Sequence, residues 1–348
     1  MIGNLLRIFY KSVIVQNSLP ANFDKNDLAL FAKDEKIHLP ESGLFVLKNV
    51  FATDLGIIYK NFEPLKENII CYDIDFKNYR FRYLLKSFLK FKKLSYKGNK
   101  CIIIFDNYSG PSGFAHWICD GLTRLVEINA ALIDYTVIVP YYFKTENIYL
   151  ESMQLFNVSA IHYLPKNSLT YFQELHFPTS IGDTGNFHPE NVKKLRHLVK
   201  TKIDLTKLSI RNLYISRAKA KKRFVTNEQE VLNILWKYNF EIIYLEDYSF
   251  HEQIKLVNSA ANIISIHGAA LATLLFATEG SSVMELRSNS DSNNNMYYLL
   301  ANVCKLNYYY LNCESTENSK TANNFDLQVP VSELEKTLQQ MIFKKQTK

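Results

Sequence analysis

Basic residues cluster in the second half of the sequence at positions that suit the binding of a phosphorylated ligand. A loop follows the β-like run of residues 213–215, and within seven positions it carries Arg217, Lys219, Lys221, Lys222 and Arg223. Arginine forks match phosphate oxygens, and such cations stabilise a diphosphate leaving group where no metal is present. A solvated charge run is the alternative. We favour binding because the strand–helix pattern places this loop on the same sheet edge as Gly268.

A small-residue turn is the second feature that could carry chemistry. The strand of residues 262–266 runs directly into His267, Gly268 and Ala269. A helix that begins here presents free backbone N–H groups and a positive dipole end at the edge of the sheet. Gly268 and Ala269 leave room for a phosphate, and His267 can donate a hydrogen bond to it. A glycine that eases a tight turn is the alternative.

Acidic residues follow two of the expected strands. Glu285 lies at the end of the strand of residues 282–286. There it either accepts hydrogen bonds from ribose hydroxyls or caps the next segment. Asp73 and Asp75 follow the strand of residues 68–72, where such a pair can hold a divalent cation and a diphosphate. Three-residue patterns of this kind occur often by chance, so we expect no metal here.

A histidine and an aspartate in the first half could act on a substrate hydroxyl. His116 and Asp120 stand four positions apart in the helix expected over residues 114–131, and therefore share a face. A histidine held by a carboxylate is a good general base, although such a pair is also common as a structural contact. The polar residues 107–113 before it resemble a substrate loop. The residues that we expect on the acceptor side are Asn107, Ser112, Trp117 and Arg124.

Residues 77–100 form a basic stretch with nine basic residues and no acidic one. An apolar stripe (Phe81, Leu84, Leu85, Phe88, Phe91) lies beside a basic ridge (Arg82, Lys86, Lys90, Lys93, Lys97). This pattern is typical of an amphipathic helix that rests on an anionic membrane surface or holds an acidic acceptor. A core-facing helix with a solvated basic side is the alternative. The aromatics lie on the apolar stripe, so base stacking is disfavoured and we expect no nucleic acid as a partner.

The elements that must position these residues read as two α/β domains. In the second half, strands alternate with helices, which predicts a parallel, doubly wound sheet that binds ligands at the carboxyl ends of its strands. The first half is less regular, with strands expected near residues 44–50, 56–60, 68–72, 101–105, 136–139 and 158–163. We predict an N-terminal domain over residues 1–185, a C-terminal Rossmann-like domain over 186–330, and a final helix over 331–348 that packs back toward the N-terminal domain.

The composition is that of a globular protein without a membrane-spanning segment. The chain has 348 residues and 47% hydrophobic residues, as expected of a globular protein with two domains. No apolar run reaches the roughly 18 residues of a membrane span. The N-terminus lacks the small-residue cleavage site of a secretory signal. Five scattered cysteines favour free thiols in a reducing compartment, so we expect a cytoplasmic protein.

Several motifs together resemble glycosyltransferase family 61, whose bacterial members are often described as capsular polysaccharide biosynthesis proteins. The matching segments are residues 114–125, 214–217 through 223, 227–228, 267–271 and 283–286, with a weaker echo over 297–311. Each motif is modest alone, but their order and spacing from residue 107 to 311 are fairly specific. Thr123 and Thr273 stand where the family usually has proline and asparagine.

The resemblance implies a GT-B type fold of two facing α/β domains and a metal-independent, inverting transfer. The donor is then a nucleotide sugar, and the acceptor is a glycan or lipid-linked glycan in surface polysaccharide biosynthesis. Arg217 and Arg223 would contact the donor diphosphate. His267, Gly268 and Ala269 would contact donor phosphate or sugar, and Glu285 the ribose. His116 or Asp120 would be the base. A metal-dependent transferase that uses Asp73 and Asp75, and a non-catalytic nucleotide-sugar-binding scaffold, are the alternatives.

Overall fold

The computed structural model describes residues 3–69, 77–110, 113–182, 184–205, 210–290, 294–315 and 326–343, and of Phe81 it describes the backbone alone. The protein is mixed α/β. It divides into two compact units: unit 1 holds residues 1–15 and 38–202, and unit 2 holds residues 16–37 and 203–348.

The elements up to residue 202, in chain order, are β1 Asn4–Tyr10, β2 Val13–Gln16, α1 Leu28–Phe31, β3 Lys36–Leu39, β4 Ser42–Thr53, β5 Ile58–Lys60, β6 Glu63–Pro64, α2 Phe81–Lys90, β7 Lys92–Ser95, β8 Cys101–Ile103, α3 Phe114–His116, α4 Leu122–Ile128, β9 Thr136–Pro140, α5 Asn147–Met153, β10 Ala160–Leu164, β11 Ser168–Pro178 and α6 Pro189–Lys202. Short 3₁₀ turns span Lys25–Asp27, Ala32–Asp34, Lys66–Asn68, Asn129–Asp134 and Tyr141–Lys144.

The elements beyond residue 202 are β12 Arg211–Ile215, α7 Glu228–Lys237, β13 Phe240–Ile243, α8 Phe250–Asn258, β14 Ala260–Ile266, β15 Ser282–Ser288, α9 Met296–Val303, β16 Asn307–Ser315, β17 Leu327–Gln328 and α10 Val331–Phe343. The 3₁₀ segments here are Leu245–Asp247 and Ala269–Phe276. The series of alternating strands and helices in the second half is therefore as the sequence predicts.

Unit 1 is built on one large mixed sheet. Its strand order is β10-β9-β8-β11-β4-β5-β6, and β1 pairs with β4 while β7 pairs with β11. The strands β8, β9 and β10 are parallel, whereas β4 and β11 form a long antiparallel pair. β11 is not among the strands expected from the sequence, because its eleven residues show no regular alternation of apolar and polar side chains.

The helical segment that starts at Phe114 changes its hydrogen-bond period within five residues. Between α3 and α4, residues Trp117–Gly121 form a π-helical turn. The Trp117 ring packs where a side chain at position 121 would lie: a Cβ on Gly121 would be 2.4 Å from that ring. Glycine at 121 therefore allows the wide turn to close around the indole. Turns of this type often occur at functional sites.

The basic stretch forms a shorter helix than its sequence pattern predicts. Helix α2 ends at Lys90, and Lys92–Ser95 form β7, which pairs in parallel with β11. Lys93 and Lys97 thus leave the expected basic ridge. Backbone pairing with an existing strand satisfies the donors and acceptors of these residues, whereas a longer surface helix gains little from its exposed turns.

Unit 2 contains a doubly wound sheet with the order β13-β12-β14-β15-β16-β17. The strands from β13 to β16 are parallel, and β17 is antiparallel to β16. The second helix of this sheet, α8, begins with a capping box, in which Ser249 and Glu252 bond each other's backbone N–H. Helix α7 begins without a side-chain cap among the described residues. Asn227 instead bonds the backbone of Val329 through both its amide groups.

The N-terminal residues 16–37 lie against β16 and α9 of this unit, which the sequence did not predict. Asn22 exchanges hydrogen bonds with the backbone of Tyr310, and the Tyr310 hydroxyl donates to Asp27. Phe31 is fully buried, with its ring 5.0 Å from those of Tyr298 and Tyr310.

The predicted domain boundaries at residues 185 and 330 stay a prediction, and the two compact units divide the chain differently. Helix α6 counts with unit 1, and residues 16–37 count with unit 2. The final helix α10 buries Leu334, Leu338 and Met341 in the core of unit 2, beside α7 and β16. The apolar side of α10 therefore packs against the sheet of unit 2.

No helix within the described ranges is both long and apolar enough to cross a membrane. Cys101, Cys119, Cys304 and Cys313 are free and buried, and Cys71 lies outside the described residues. Asp73 and Asp75 also lie outside them.

Candidate functional site

The sheet of unit 2 has one topological switch point. Because β12 pairs with β13 on one side and β14 on the other, the chain reverses its direction of winding between β12 and β14. Ligands of doubly wound sheets bind in the crevice outside the carboxyl ends of the strands at such a point. The loop after β12 carries Arg217 and Arg223, and β14 leads into His267 and Gly268. The structure therefore places the basic loop and the glycine turn, which the sequence singled out, at the same edge of the sheet.

Two guanidinium groups lie over Gly268. A Cβ built on this glycine would lie 2.9 Å from Arg217 Nη1 and 3.7 Å from Arg223 Cζ. Arg223 Nη1 donates to the carbonyl oxygen of His267 at 3.3 Å, and Arg217 Nη2 donates to the carbonyl oxygen of Lys222 at 3.1 Å. Glycine at 268 leaves the space that these cations occupy.

The two arginines lack the anionic partner that buried guanidinium groups normally have. The Nε atoms of Arg217 and Arg223 are both buried without a hydrogen-bond partner. Across the described parts of the chain, neither guanidinium lies within ion-pair distance of a carboxylate. Burial, and then the like charge of Arg223, lower the pKa of Arg217. An anion bound between these groups would supply both the missing acceptors and the missing charge.

The loop that carries the arginines is fastened at both ends. At its start, the hydroxyls of Tyr214 and Ser216 donate to Glu228 Oε1 at 2.9 and 2.7 Å. At its end, the Phe224 amide donates to Asp326 Oδ1 at 2.8 Å. Arg223 itself has a φ of 64°, in the left-handed region that costs a non-glycine residue about 1 kcal/mol. Strain held in a fastened loop is typical of a functional position.

The lysines of this loop behave differently from its arginines. Lys219 forms an ion pair with Asp247, and Lys221 and Lys222 are exposed. The sequence pattern of five basic residues therefore separates into two arginines at Gly268 and three lysines at the surface.

His267 is held by a fully buried carboxylate. Its Nδ1 bonds Glu285 Oε1, and the other oxygen of Glu285 accepts a hydrogen bond from the Tyr308 hydroxyl at 2.5 Å. Burial favours protonation of Glu285, but the charge and hydrogen bond of His267, together with Arg287, outweigh it and lower the pKa of this carboxyl. The predicted ribose contact of Glu285 stays a prediction. In this structure the side chain is 0% exposed, and both of its oxygens are bonded within the protein.

The helix expected after Gly268 is a 3₁₀ helix, Ala269–Phe276. The Leu271 amide donates to the carbonyl oxygen of Gly268 at 2.9 Å, so the first turn closes directly behind the glycine. Ala269 is half-buried at this N-terminus. The buried Thr273 donates its hydroxyl to the carbonyl oxygen of Ala270.

In unit 1, His116 and Asp120 meet a third residue that the sequence did not indicate. His116 Nδ1 lies 3.2 Å from Asp120 Oδ2 and 2.9 Å from Thr184 Oγ1, and the Thr184 hydroxyl donates to Asp120 Oδ2 at 3.1 Å. The side chain of His116 is 28% exposed, whereas that of Asp120 is 5% exposed. The more accessible group of the pair is therefore the imidazole.

The charge of Asp120 governs the protonation of His116. Burial opposes the imidazolium form, but the hydrogen bond and negative charge of Asp120, with a further contribution from Asp106, outweigh it. The pKa of His116 is accordingly raised above its ordinary value. The ring of Tyr108 lies 4.9 Å from the imidazole and covers one of its sides.

Asp106 shapes the polar loop that precedes this pair. Its Oδ1 accepts hydrogen bonds from the amides of Tyr108 and Ser109 and from the Ser109 hydroxyl. Its Oδ2 forms a buried ion pair with Arg124, whose Nε donates to the carbonyl oxygen of Asp120 at 2.9 Å. The ion pair thus ties the loop to the helix of the His116 pair.

Two of the residues expected on the acceptor side are core residues in this structure. Trp117 is 0% exposed and donates Nε1–H to Ser152 Oγ, and Arg124 is 1% exposed. Neither has surface to offer a ligand, because the indole fills the core under the π turn and the guanidinium holds Asp106. Asn107 is half-buried in the loop, and Ser112 lies outside the described residues.

Sequence reasoning missed Thr184, Asp106 and Tyr308. Asp106 had a usable signal, since an aspartate directly after a buried strand often caps the following turn. Thr184 lies 64 residues from Asp120, and Tyr308 lies on a different strand from Glu285. Such pairs depend on tertiary contact and on strand register.

Comparisons with known proteins point to a glycosyltransferase. The family model described as "Glycosyltransferase 61" matches residues 114–284, which include His116, Asp120, Arg217, Arg223 and His267. Relatives named "Protein O-linked-mannose beta-1,4-N-acetylglucosaminyltransferase 2" also match. The Homo sapiens protein is 35% identical over 72 residues, 20% of this chain and 12% of its own length.

The matches to two other relatives of the same name are longer. The Xenopus tropicalis protein is 33% identical over 102 residues, 27% of this chain and 18% of its own. The Takifugu rubripes protein is 30% identical over 129 residues, 34% of this chain and 22% of its own. The matched segments thus span less than a quarter of these relatives. The matched domain and the relatives' names support a glycosyltransferase enzyme. The family model in particular supports glycosyltransferase family 61.

Proposed function

We propose that this chain transfers a sugar from a nucleotide-sugar donor to a hydroxyl of a glycan or lipid-linked glycan acceptor. One observation carries the proposal. Arg217 and Arg223 lie over Gly268 at the switch point of the sheet, with buried Nε donors that have no hydrogen-bond partner and with no carboxylate at ion-pair distance among the described residues. The donor's diphosphate has the charge and the acceptor oxygens that this arrangement lacks.

The arginines would act most strongly on the leaving group. As the glycosidic bond breaks, negative charge grows on the diphosphate, and preorganised cations stabilise that charge without having to move. The hydrogen bonds at both ends of the loop would hold the cations in place before the donor arrives, despite the strained backbone of Arg223. Ala269 and the 3₁₀ helix that follows it would border the same anion.

On the acceptor side we assign the general base to His116 and its orientation to Asp120 and Thr184. His116 is the more exposed of the His–Asp pair, and its Nδ1 is engaged with both partners. This leaves Nε2 as the nitrogen that can take a proton from an acceptor hydroxyl. Asn107 and Ser112 are proposed to border the acceptor.

The finer features of the reaction are also proposals. The family resemblance implies a GT-B arrangement of the two units, transfer with inversion and no requirement for metal. Activity that persists in EDTA would support metal independence. A loss that manganese restores would favour the alternative that uses Asp73 and Asp75. The anomeric configuration of the product, read by NMR, tests inversion.

Two acceptor classes can be separated by assay. The resemblance implies surface polysaccharide biosynthesis in a bacterium, and the scattered cysteines predict a cytoplasmic protein. The relatives, by contrast, are named for transfer of N-acetylglucosamine to O-linked mannose. A panel of nucleotide sugars that includes activated N-acetylglucosamine, offered with lipid-linked glycans and with a mannosyl peptide, distinguishes them. We propose the surface polysaccharide as the acceptor, and transfer to the mannosyl peptide alone would overturn that choice.

An anionic membrane surface is the further partner that we propose, at helix α2. Leu84 and Phe91 pack into the core of unit 1, whereas Leu85 and Leu89 are 47% and 70% exposed. Phe62 is 66% exposed, and its ring lies 5.8 Å from that of Phe88 on the same helix as Leu85 and Leu89. The basic residues that border this apolar patch on the helix are Arg82, Lys86 and Lys90. Exposed apolar side chains beside a basic row suit the headgroup region of an anionic bilayer.

The first experiment is a thermal-shift panel of nucleoside diphosphates and nucleotide sugars on the full chain, with Arg217→Ala and Lys221→Ala as matched variants of one loop. A ligand at 100 times its Kd stabilises the folded state by about 2.7 kcal/mol. We expect a shift for the wild type and for Lys221→Ala, and none for Arg217→Ala. Equal shifts in all three would refute the assignment of the loop. Binding without transfer to any acceptor would favour the non-catalytic scaffold.

A further inference from the structure

A cavity in unit 1 lies apart from the residues assigned to the transfer reaction. Its volume is about 900 Å³, within the range of about 300–1,000 Å³ that is usual for sites of small ligands. Its walls come from β4, from β11 and from residues 95–100, which lead from β7 into β8. His116, by contrast, follows the carboxyl end of β8. The cavity and the His116 pair therefore belong to opposite ends of that strand.

The two long strands of the sheet both lose their regular pattern of burial where they border the cavity. Lys48 and Asn49 are consecutive exposed residues in β4, and Gln173 and Glu174 are consecutive exposed residues in β11. Asn49 has a φ of 54°, in the left-handed region, although it stands inside a strand. The Tyr171 hydroxyl donates to Asn49 Oδ1 at 2.6 Å and so fixes this residue. The sheet is thus interrupted at one place, and polar side chains surround the interruption.

The cavity has an excess of positive charge. Among the described residues that line it, Lys48, Lys97 and Lys100 are basic and Glu174 is acidic. Glu174 Oε1 lies 3.2 Å from Nε2 of the buried His176 and not beside a lysine ammonium group. None of the described carboxylates lies at ion-pair distance from the three lysines. These ammonium groups would therefore attract an anionic ligand into the cavity.

The neutral side chains of the cavity suit a ligand with many hydroxyl groups. They are Ser95, Tyr96, Asn99, Tyr171 and Gln173. Amide and hydroxyl side chains both donate and accept hydrogen bonds, as sugar hydroxyls do. Both tyrosines are half-buried, and the ring of Tyr96 lies 5.4 Å from that of Phe172 in the core. The cavity therefore lacks the exposed rings on which the bases of a nucleic acid would stack.

We propose that this cavity binds an acidic glycan, an oligosaccharide whose sugars carry carboxylate groups. The three lysines face the carboxylates, and the neutral side chains bond the sugar hydroxyls. The inference rests on the proposed function only in taking the acceptor chain as the source of this glycan, because binding itself requires no transfer. Since the cavity and His116 belong to opposite ends of β8, the cavity holds a part of the acceptor other than the hydroxyl that reacts.

Saturation-transfer NMR on the full chain tests the inference with a matched pair of ligands. Trigalacturonate is acidic, and reduction of its carboxyl groups gives a neutral galactotriose with the same linkages. We expect the wild type to bind trigalacturonate about tenfold more tightly than galactotriose. Added salt should reduce that difference, because charges at a surface are screened over about 10 Å at 0.1 M ionic strength.

Variants of opposite charge effect separate recognition of the ligand from a general loss of structure. Lys97→Gln should weaken the binding of trigalacturonate by about two- to fivefold, and the double variant Lys48→Gln, Lys97→Gln by about tenfold. Glu174→Gln should tighten it, because it removes a like charge from the cavity wall. Lys200→Gln, at an exposed position of α6, is the matched control and should bind as the wild type does.

The outcomes keep this inference and the proposed function apart. Equal affinity for trigalacturonate and galactotriose, or equal binding of trigalacturonate by the wild type and the double lysine variant, would overturn the acidic-glycan site. Tighter lysine-dependent binding of a thymidine oligonucleotide or of phosphatidylserine vesicles would overturn the choice of a glycan. Lysine-dependent binding of trigalacturonate without transfer to any acceptor would support the site and refute the proposed transferase. With transfer, the double variant should raise the KM for an acidic acceptor and leave kcat and the KM for a neutral acceptor unchanged.

Discussion

Replacement of Arg217 by methionine should stabilise the free protein while it removes donor binding. The guanidinium of Arg217 lies beside that of Arg223 with no carboxylate of the described residues at ion-pair distance, and its buried Nε has no acceptor. A buried donor without a partner costs about 1–3 kcal/mol. Methionine keeps most of the aliphatic stem and removes both the charge and the orphaned N–H.

The size of the effect follows from what the substitution removes. Relief of the unpaired Nε contributes about 1–3 kcal/mol, and the hydrogen bond from Arg217 Nη2 to the carbonyl oxygen of Lys222 is lost at a cost of about 0.5–1.5 kcal/mol. The net gain is on the order of 1 kcal/mol in the free energy of unfolding. For a folding unit of 150–250 residues, that gain raises Tm by roughly 2–4 °C.

The assay is differential scanning calorimetry of the wild type, Arg217→Met and Lys221→Met, each with and without the diphosphate that shifts the wild type most. Lys221 is exposed in the same loop, so its replacement should change neither Tm nor the shift caused by the ligand. Arg217→Met should show a higher Tm without ligand and little shift with it. If Arg217→Met lowers Tm by several degrees, the guanidinium has a structural partner and is not held ready for an anion.

Three other predictions concern unit 1. Transfer activity should fall as the pH drops through the raised pKa of His116, because the base must be neutral. His116→Ala should lower kcat by about 10²–10⁴-fold. A pH profile that is unchanged in Asp120→Asn would contradict the pairing of His116 with Asp120. Gly121→Ala should destabilise the chain by about 1–3 kcal/mol through overlap with an indole. Gly110→Ala, whose Cβ would meet none of the described residues within 4 Å, should be nearly neutral in urea unfolding. Leu89→Glu should weaken sedimentation with phosphatidylserine vesicles without changing donor binding, and equal sedimentation would refute the membrane partner.

The local parts of the candidate site were predictable from the sequence. The basic loop, the small-residue turn and the His–Asp pair are each formed by residues within seven positions of one another. The strand–helix alternation was sufficient to place the first two on one edge of a parallel sheet. Since all parallel strands of a doubly wound sheet end at the same edge, connectivity alone brings their loops together.

The roles within that site were less predictable. The sequence grouped five basic residues in one loop, and the structure separates two arginines at Gly268 from lysines at the surface. It offered Glu285 as a ribose ligand, which stays a prediction, and gave no sign that both of its oxygens would bond His267 and Tyr308. Trp117 and Arg124, expected beside an acceptor, are core residues. Direction and burial of a side chain depend on what packs around it, and a motif does not contain that information.

The sequence by itself determined the alternating sheet of unit 2, the capping box of Ser249 and Glu252, and the chemistry available at its rim, because each depends on residues close together in the chain. Only the tertiary structure decided that Thr184 completes the His116 pair and that Tyr308 lies behind Glu285. It also decided that α10 packs within unit 2 and that residues 16–37 dock on the same sheet. These contacts join positions up to nearly 300 residues apart, such as Asn22 and Tyr310. Their geometry is set by strand register and by competition among apolar faces for one core, which no short segment of the chain specifies.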